Sequence, residues 1–599
     1  MTRWTRTGMA RTLLRAVACA ALLGAPAALA PLALGTAARA AEGSAALDDL
    51  TLRFGRTLVK VPRLELRGTA LSSSDLKAIL DPASAEPWPA RLKRLSGESL
   101  AIPLLRVEQA VGDQVQVVVY RDVLARRIAE GRIGSLESAG AVLTVDGAEG
   151  KPGAGAYGRM TASDLDLTSL ARLLSERGGP EAASLRIYGA ITVDDIALSG
   201  PKGEAFRIGH IEGHDLGGRP TATPWGEAAA ALTAGDPAKA PPEERGRLAG
   251  LAADLLDAVA IGPFEMRDLS VTDPGDGHPT RVTLARLAYA GDGTLRSEAL
   301  GIDGPALRVA LKALSLSGLS LKPTLEGLRR SARETVDPSD LRRYAPLLGR
   351  VTLEGLTLDL PASPAAPPRD PAAPPEAPLH FDLRSFALDM AAPRDGIPTM
   401  ARLTLDGLAF PVPADAAGLA PLAALGYKDV NLSGVLDSSW NEEAREVSIR
   451  ELSVSGKEMG NAKLTATLGG IGREVFNPDA AISSLALLGA TAKALALTVE
   501  NSGLFERFVA DQAKAQSLKP LELQREYSTA AQLGIPAVLG NSASAKALGQ
   551  AVARFVTKPT RLTVTAAAKN PAGLGLLDVS TAASPGKVFD RLNVTATTE

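Results

Sequence analysis

The sequence predicts a mainly β fold of the α+β class: an extended antiparallel sheet of repeated bulged strands, interrupted by helical inserts. Three observations carry that reading. The first is the stretch 350–360, in which Val351, Leu353, Leu356 and Leu358 follow the pattern apolar, x, apolar, x, x, apolar, x, apolar before Pro361. On a helix these four positions form two opposed pairs with no common face. On a strand they share a face only if the doubled x-x hides one extra residue that resets the alternation, as a β-bulge does. The second observation is recurrence. The unit returns with its first apolar residue at Val59, Ile191, Phe264, Val282, Val309, Phe381, Leu403 and Val447, and in degraded form over 160–167 and 206–213. The third is punctuation: Gly68, Gly200, Pro274, Gly291, Gly318, Pro361, Pro393, Pro411 and Gly456 follow the nine full copies closely, as strand ends require. Reading x-x as a two-residue hairpin turn fails, because Pro62-Arg63, Ala285-Arg286 and Lys312-Ala313 lack residues that accept positive φ.

Taken in order, residues 1–40 read as a signal peptide. Arg3, Arg6, Arg11 and Arg15 precede an Ala/Leu-rich stretch, and Ala38-Arg39-Ala40 supplies a small-x-small processing site before Ala41. The alternative is an uncleaved N-terminal inner-membrane anchor, against which Gly24, Pro26 and Pro31 interrupt the apolar run. Residues 41–220 form an N-terminal β-rich region with short helices. Within it, 51–66 and 115–120 are extended, Ser73-Ser74-Asp75 caps a helical turn through Leu80, and 122–129 is helical with Asp122 as cap. A further helix over 168–177 places Leu170, Leu173 and Leu174 on one face and stops at Gly178-Gly179. Residues 221–262 are a Pro/Ala-rich spacer followed by a helix bearing Leu248, Leu251, Leu255 and Val259. The central repeated sheet occupies 263–470, with a helical insert over 324–348, in which Asp337 and Pro338 serve as N-cap and first-turn residues, and a Pro-rich loop over 361–378. A β-meander over 427–468 closes it. Residues 471–599 form a C-terminal helical insert plus strands: helices carry Leu504 and Phe508, run from Leu521 to Leu533 before Gly534 and Pro536, and carry Leu548 to Val556, and strands return at 560–566 and 592–596.

Composition narrows the function. The chain has 599 residues, 45% hydrophobic and 22% charged, which is globular in character and long enough for several domains. Its single cysteine, Cys19, lies in the leader, so disulfides, thiol nucleophiles and cysteine-metal sites are excluded from the mature chain. Loss of the leader's five arginines takes the formal charge from −2 to −7. No basic stripe remains, and nucleic acid is excluded as a partner. Periplasmic or otherwise exported location follows from the leader.

No motif supports a catalytic, cofactor or metal site. His210 and His214 are four apart on a strand, about 13 Å from each other, and do not converge on a metal. The 206–215 stretch reads instead as a polar strand end and turn. Gly153 to Gly158 matches the dinucleotide fingerprint by letter but opens no helix, and reads as a hairpin loop. Ser74-Asp75-Leu76-Lys77 spells Ser-x-x-Lys without companion motifs, at a place that wants a helix cap. Asp273 to His278 has turn chemistry without calcium-loop spacing. Aromatics are 4% of the chain, too sparse for a sugar-binding platform. A non-enzymatic protein without cofactors is expected.

An N-terminal apolar segment, an exported body and irregularly spaced β-units with helical inserts together resemble the AsmA/TamB-type envelope proteins of Gram-negative bacteria. The resemblance lies in the pattern of 50–599 and transfers no individual residue. It implies a long sheet forming an apolar groove that shelters or moves lipids between membranes. Independently of the resemblance, a sheet with one apolar face must bury that face against helices, another sheet or an apolar ligand. Val351, Leu353, Phe381, Leu383, Leu403 and Leu405 are the expected groove residues, lipid or a membrane surface and other envelope proteins the expected partners. The alternative is a structural scaffold or adhesin-like periplasmic protein whose apolar face is closed by its own helices.

Overall fold

A computed structural model describes residues 43–599 apart from 55–56, 112–113, 147–152, 201–202, 235–239, 276–277, 335–343, 361–378, 395, 414–417, 478, 576–577, 580 and 583. The leader with its Cys19, the Pro-rich 361–378 segment and the Asp337-Pro338 cap lie outside the described residues. The fold is mixed α+β and dominated by antiparallel sheet, as expected. It divides into two compact units: one comprises residues up to Pro305 together with 320–345, the other 306–319 together with 346–599.

Unit 1 is a meander of β1 (Ser44–Phe54), β2 (Thr57–Arg67), β3 (Gly97–Val111), β4 (Gln114–Ala129), β5 (Arg132–Ser138), β6 (Gly140–Asp146), β7 (Gly153–Tyr157), β8 (Met160–Asp166), β9 (Leu185–Ser199), β10 (Ala205–Gly218), β11 (Val259–Ala260), β12 (Phe264–Asp273), β13 (Thr280–Tyr289) and β14 (Leu295–Asp303). β5 and β6 follow one another along one edge of β4, and β8 and β7 do the same along β9. Its helices are α1 (Ser73–Leu80), α2 (Trp88–Leu92), α3 (Leu167–Ser175), α4 (Trp225–Thr233), α5 (Pro242–Ala258) and α6 (Lys322–Ser331). α1 and neighbouring strands close a core in which Val59, Val61, Leu64 and Leu66 of β2 and Leu100, Ile102, Leu105 and Val107 of β3 are all buried. Both strands carry the doubled x-x, and all eight apolar residues enter one core. The extra residue therefore does reset the alternation.

Its geometry differs from an isolated bulge. Within unit 1, Asp195, Gly209, Asp268, Ala285 and Ala299 stand opposite one another on β9, β10, β12, β13 and β14, and the register is the same immediately before and after that level. Every strand carries the extra residue at the same level, so neighbours stay in step. The residue is left-handed on alternate strands only: Asp195 at φ +48°, Asp268 at +56° and Ala299 at +51°. Asp and Gly visit that region most readily, and the strands between, with Gly209 or Ala285, need no positive φ.

Unit 2 repeats the arrangement. Its strands are β15 (Arg308–Ser317), β16 (Arg350–Leu360), β17 (Leu379–Arg394), β18 (Ile397–Pro411), β19 (Asp429–Asn441), β20 (Glu446–Gly456), β21 (Gly460–Gly469), β22 (Thr491–Asn501), β23 (Arg561–Ala568), the two-residue β24 (Leu574–Gly575) and β25 (Leu592–Thr598). Consecutive strands pair antiparallel from β15 to β23, and β23 then pairs with β25. Lys312, Gly355, Arg384 and Gly407 face one another at the kink level, with Gly355 and Gly407 at φ +60° and +65°. The row ends at β19, where the register shifts by one against both β18 and β20. The helices are α7 (Ala420–Ala424), α8 (Ala480–Leu487), α9 (Leu504–Ala515), α10 (Pro520–Val538), α11 (Ala543–Thr557) and α12 (Pro585–Phe589).

Several expectations are corrected. Residues 122–129 are not a helix but the second half of β4; Asp122 is a left-handed kink at φ +50° facing Pro103, and not a cap. The cap of α1 is Ser72, whose hydroxyl accepts from the Asp75 amide, and Ser74 sits inside the first turn. In α3, Leu173 is buried but Leu174 is exposed, because Asp166 caps the helix and sets its rotation. Trp225–Thr233, expected as spacer, is helical. Gly153–Tyr157 is strand β7, not a hairpin loop, and 205–218 is one strand through both histidines. α10 runs past Gly534 and Pro536. Gly549 of α11 makes room there, since a Cβ on it would stand 2.9 Å from the Pro536 ring.

Candidate apolar face of unit 2

The pairing register assembles apolar residues into rows across unit 2. One row runs through Leu316, Val351, Leu388, Leu403, Leu436, Leu452, Leu464 and Leu497, each directly opposite the next from β15 to β22. A second joins Leu314, Leu353, Phe386 and Leu405, and a third Leu311, Leu356, Leu383, Leu408 and Leu432. A fourth joins Val309, Leu358, Phe381 and Phe410, the two rings 5.6 Å apart. Directly opposed residues point to one face of a sheet. The six residues singled out in the sequence thus occupy four adjacent rows: Val351 with Leu403, Leu353 with Leu405, then Leu383, then Phe381. Antiparallel strands explain the scatter, since a motif read in opposite directions on neighbouring strands starts from opposite ends.

All six are half-buried, and none joins a buried cluster among the described residues. Among the described residues, buried clusters cover the sheet at its margins, and Leu311 of the third row is also buried. The α7 segment packs on Phe410, Val412, Val430 and Leu432 at one end of the strands. The turn at 473–476 packs on Trp440, Val447 and Leu468 at the other, with the Trp440 indole donating to the Ile471 carbonyl at 2.9 Å. α11 covers Val564, Ala566 and Val594 at the β23 and β25 side. Between these margins Leu452 is 40% exposed, Val454 52% and Leu495 41%. Over 427–468 the sequence shows the alternation of β19 to β21, with a full copy at Val447, but β22 (Thr491–Asn501) is not expected from it as a strand, and the register shows that all four extend the same rows.

The alternate positions on these strands carry charge. Arg350 pairs with Asp389 at 3.3 Å, Arg402 with Asp437 at 3.3 Å, Arg384 with Asp406 at 2.8 Å and Lys463 with Glu451 at 3.3 Å. Hydrogen bonds from Ser453 and Lys463 hold the Glu451 carboxyl below its usual range. His380 bridges Asp359 at 2.6 Å and Asp382 at 2.8 Å, and these two hydrogen bonds raise its pKa, that to Asp359 most. Among the described residues, one face of the sheet is thus ion-paired and the other apolar and half-buried, with Leu452, Val454 and Leu495 exposed.

The polar motifs stand elsewhere. In unit 1, His210 Nδ1 lies 2.6 Å from Asp194, and Glu212 lies 3.0 Å from His214 Nε2 and 3.7 Å from His210 Nε2. Among the described residues no three His, Cys, Asp or Glu side chains converge as a metal site. Beside His214 a shallow hollow of about 470 Å³ is lined by Glu212, Phe264, Glu265, Arg286 and Tyr289. Its Arg286 and Glu265 are paired with each other. Arg286 holds Glu265 at 2.7 Å and Glu298 at 3.1 Å, and this bonding keeps the Glu265 carboxyl below its usual range. Among the described residues no helix is long and apolar enough to cross a membrane.

A family model described only as an uncharacterized protein matches residues 453–599, from within β20 to the end of β25. No curated protein and no solved structure matches the chain.

Proposed function

We propose that this chain is an exported, non-enzymatic envelope protein of the AsmA/TamB type whose unit 2 sheet holds lipid acyl chains along its open apolar rows. The observation that supports this most is the row from Leu316 to Leu497, flanked by three shorter ones and half-buried to exposed among the described residues. Apolar surface of this extent in water is costly at about 25 cal/mol per Å², and contiguous patches of this kind mark ligand or interaction surfaces. Eight strands span about 34 Å, on the order of the 30 Å hydrocarbon thickness of a bilayer. Rows of Leu, Val and Phe select for apolar character and not for a head group, so binding is broad among acyl lipids. The alternative is the structural scaffold or adhesin-like role, in which the same rows are closed by the chain's own helices.

Titration with a fluorescent fatty acid, displaced by phospholipid, tests the proposal. The Leu383→Arg plus Leu405→Arg double variant loses affinity by more than about tenfold with unchanged circular dichroism. His210→Ala, His214→Ala and Ser74→Ala leave it unchanged. No binding by the folded wild-type protein removes the lipid reading in favour of the scaffold.

A further inference from the structure

Two strands at sheet edges, β1 in unit 1 and β25 in unit 2, are built in opposite ways. β1 is defended: it carries Asp48, Asp49 and Arg53, it kinks at Asp49 with φ +50°, and the Ser73 hydroxyl of α1 accepts from its Ala46 amide at 3.2 Å. Charges, kinks and covering helices are the usual means of keeping other strands off an edge. β25 has neither charge nor kink, and α11 lies over its Val594 face. Its sequence, Leu-Asn-Val-Thr-Ala-Thr-Thr, is uncharged, free of proline and glycine and rich in β-formers, and its register against β23 is unbroken from Leu592 to Thr598. The Glu599 amide donates to the Arg561 carbonyl and the Lys569 amide to the Arg591 carbonyl, which fixes the odd-numbered residues as those bonded inward to β23. The backbone groups of Leu592, Val594, Ala596 and Thr598 therefore point outward, with no partner among the described residues.

We infer that β25 pairs antiparallel with β25 of a second copy of this chain, about a two-fold axis at Thr595. The parity of the outward groups selects this register. With Thr595 opposite Thr595, Leu592 meets Thr598 and Val594 meets Ala596 on each side of the axis, and all four outward residues are bonded. Sliding by two residues leaves one outward residue on each copy without an outward-facing strand partner. The same register places Arg591 of each copy opposite Glu599 of the other. Both side chains are exposed and loosely held within their own chain, Arg591 at 3.7 Å from Asp578 and Glu599 at 3.5 Å from Arg561. A two-fold contact uses one patch twice, so a strand whose flanking charges are opposite in sign at equal distances from its centre is complementary to itself. An unrelated strand gains the backbone bonds but not both ion pairs.

The test uses the full chain with Cys19→Ser, which leaves no other cysteine. Sedimentation is expected to give twice the chain mass. Ala596→Pro removes only an outward donor, a placement that proline tolerates on an edge, and gives monomer with an unchanged melting temperature. Arg591→Glu and Glu599→Arg each weaken the dimer, and the two together restore it. Thr595→Cys forms a disulfide-linked dimer on mild oxidation, whereas Asn593→Cys does not, since its counterpart in the other copy lies about 14 Å away along the strand. A monomeric wild-type protein overturns the inference. So does a dimer that survives Ala596→Pro or crosslinks through Asn593→Cys in place of Thr595→Cys.

Discussion

Gly355 and Ala299 occupy equivalent kinks with opposite consequences for substitution. At Gly355, φ is +60° and an added Cβ would stand 3.0 Å from Lys312 Cβ. Gly355→Ala is expected to lower stability by about 1–2 kcal/mol, the ordinary cost of a left-handed L-residue. Ala299 already bears that cost at φ +51° on an exposed site, so Ala299→Gly is expected to raise stability by about 0.5–1 kcal/mol after the added unfolded-state entropy of glycine. Chemical denaturation of the two variants checks both signs. These kinks were legible only in part. The doubled x-x, and Asp or Gly in it, is visible in the sequence, but the restriction of positive φ to alternate strands is a property of neighbours. Asp122 shows the limit: read alone it looks like a helix cap, and only its place opposite Pro103 makes it a kink.

Among the strands, the same motif position meets different surroundings. Leu64 of β2 and Leu356 of β16 both follow the doubled x-x, yet Leu64 is 1% exposed inside a core and Leu356 is half-buried on an open face. Leu64→Ala is expected to cost about 2–5 kcal/mol, and Leu356→Ala about 1 kcal/mol because less surface is returned to water. Equal melting shifts would contradict the open face. Pairing of β16 with β17 also carries a pH term. His380 gains Asp359 and Asp382 on folding, so its folded pKa lies above the unfolded value near 6.5. Its contribution is fully present below about 6.5 and is lost as pH rises through the raised folded pKa. The side chain is half exposed, so screening holds it to about a few tenths of a kcal/mol. His380→Gln should narrow the stability difference between mildly acid and mildly alkaline buffer. An unchanged difference would show that the two hydrogen bonds are not maintained in solution.

For the molecule as a whole, strand periodicity and breakers in the sequence were enough to predict antiparallel sheet with helical inserts. What they could not supply was cover. Whether α7, the 473–476 turn and α9 to α11 close the apolar rows depends on where each connection sends its helix, and local pattern does not encode this. α10 continues through Gly534 and Pro536 because Gly549 on α11 admits the proline ring, a contact across two helices that no window of sequence contains. The six residues singled out on β16 to β18 come together as four neighbouring rows, while half of the longest row lies on β19 to β22, of which only β20 carries a full copy of the motif. Central to the account is that these rows hold acyl chains. Solvent extraction of the purified, folded protein followed by mass spectrometry reads that directly. Phospholipid or fatty acid is expected to be released from the wild-type chain and lost from the Leu383→Arg plus Leu405→Arg variant. A lipid-free wild-type protein that also leaves apolar fluorophores unbound would contradict it.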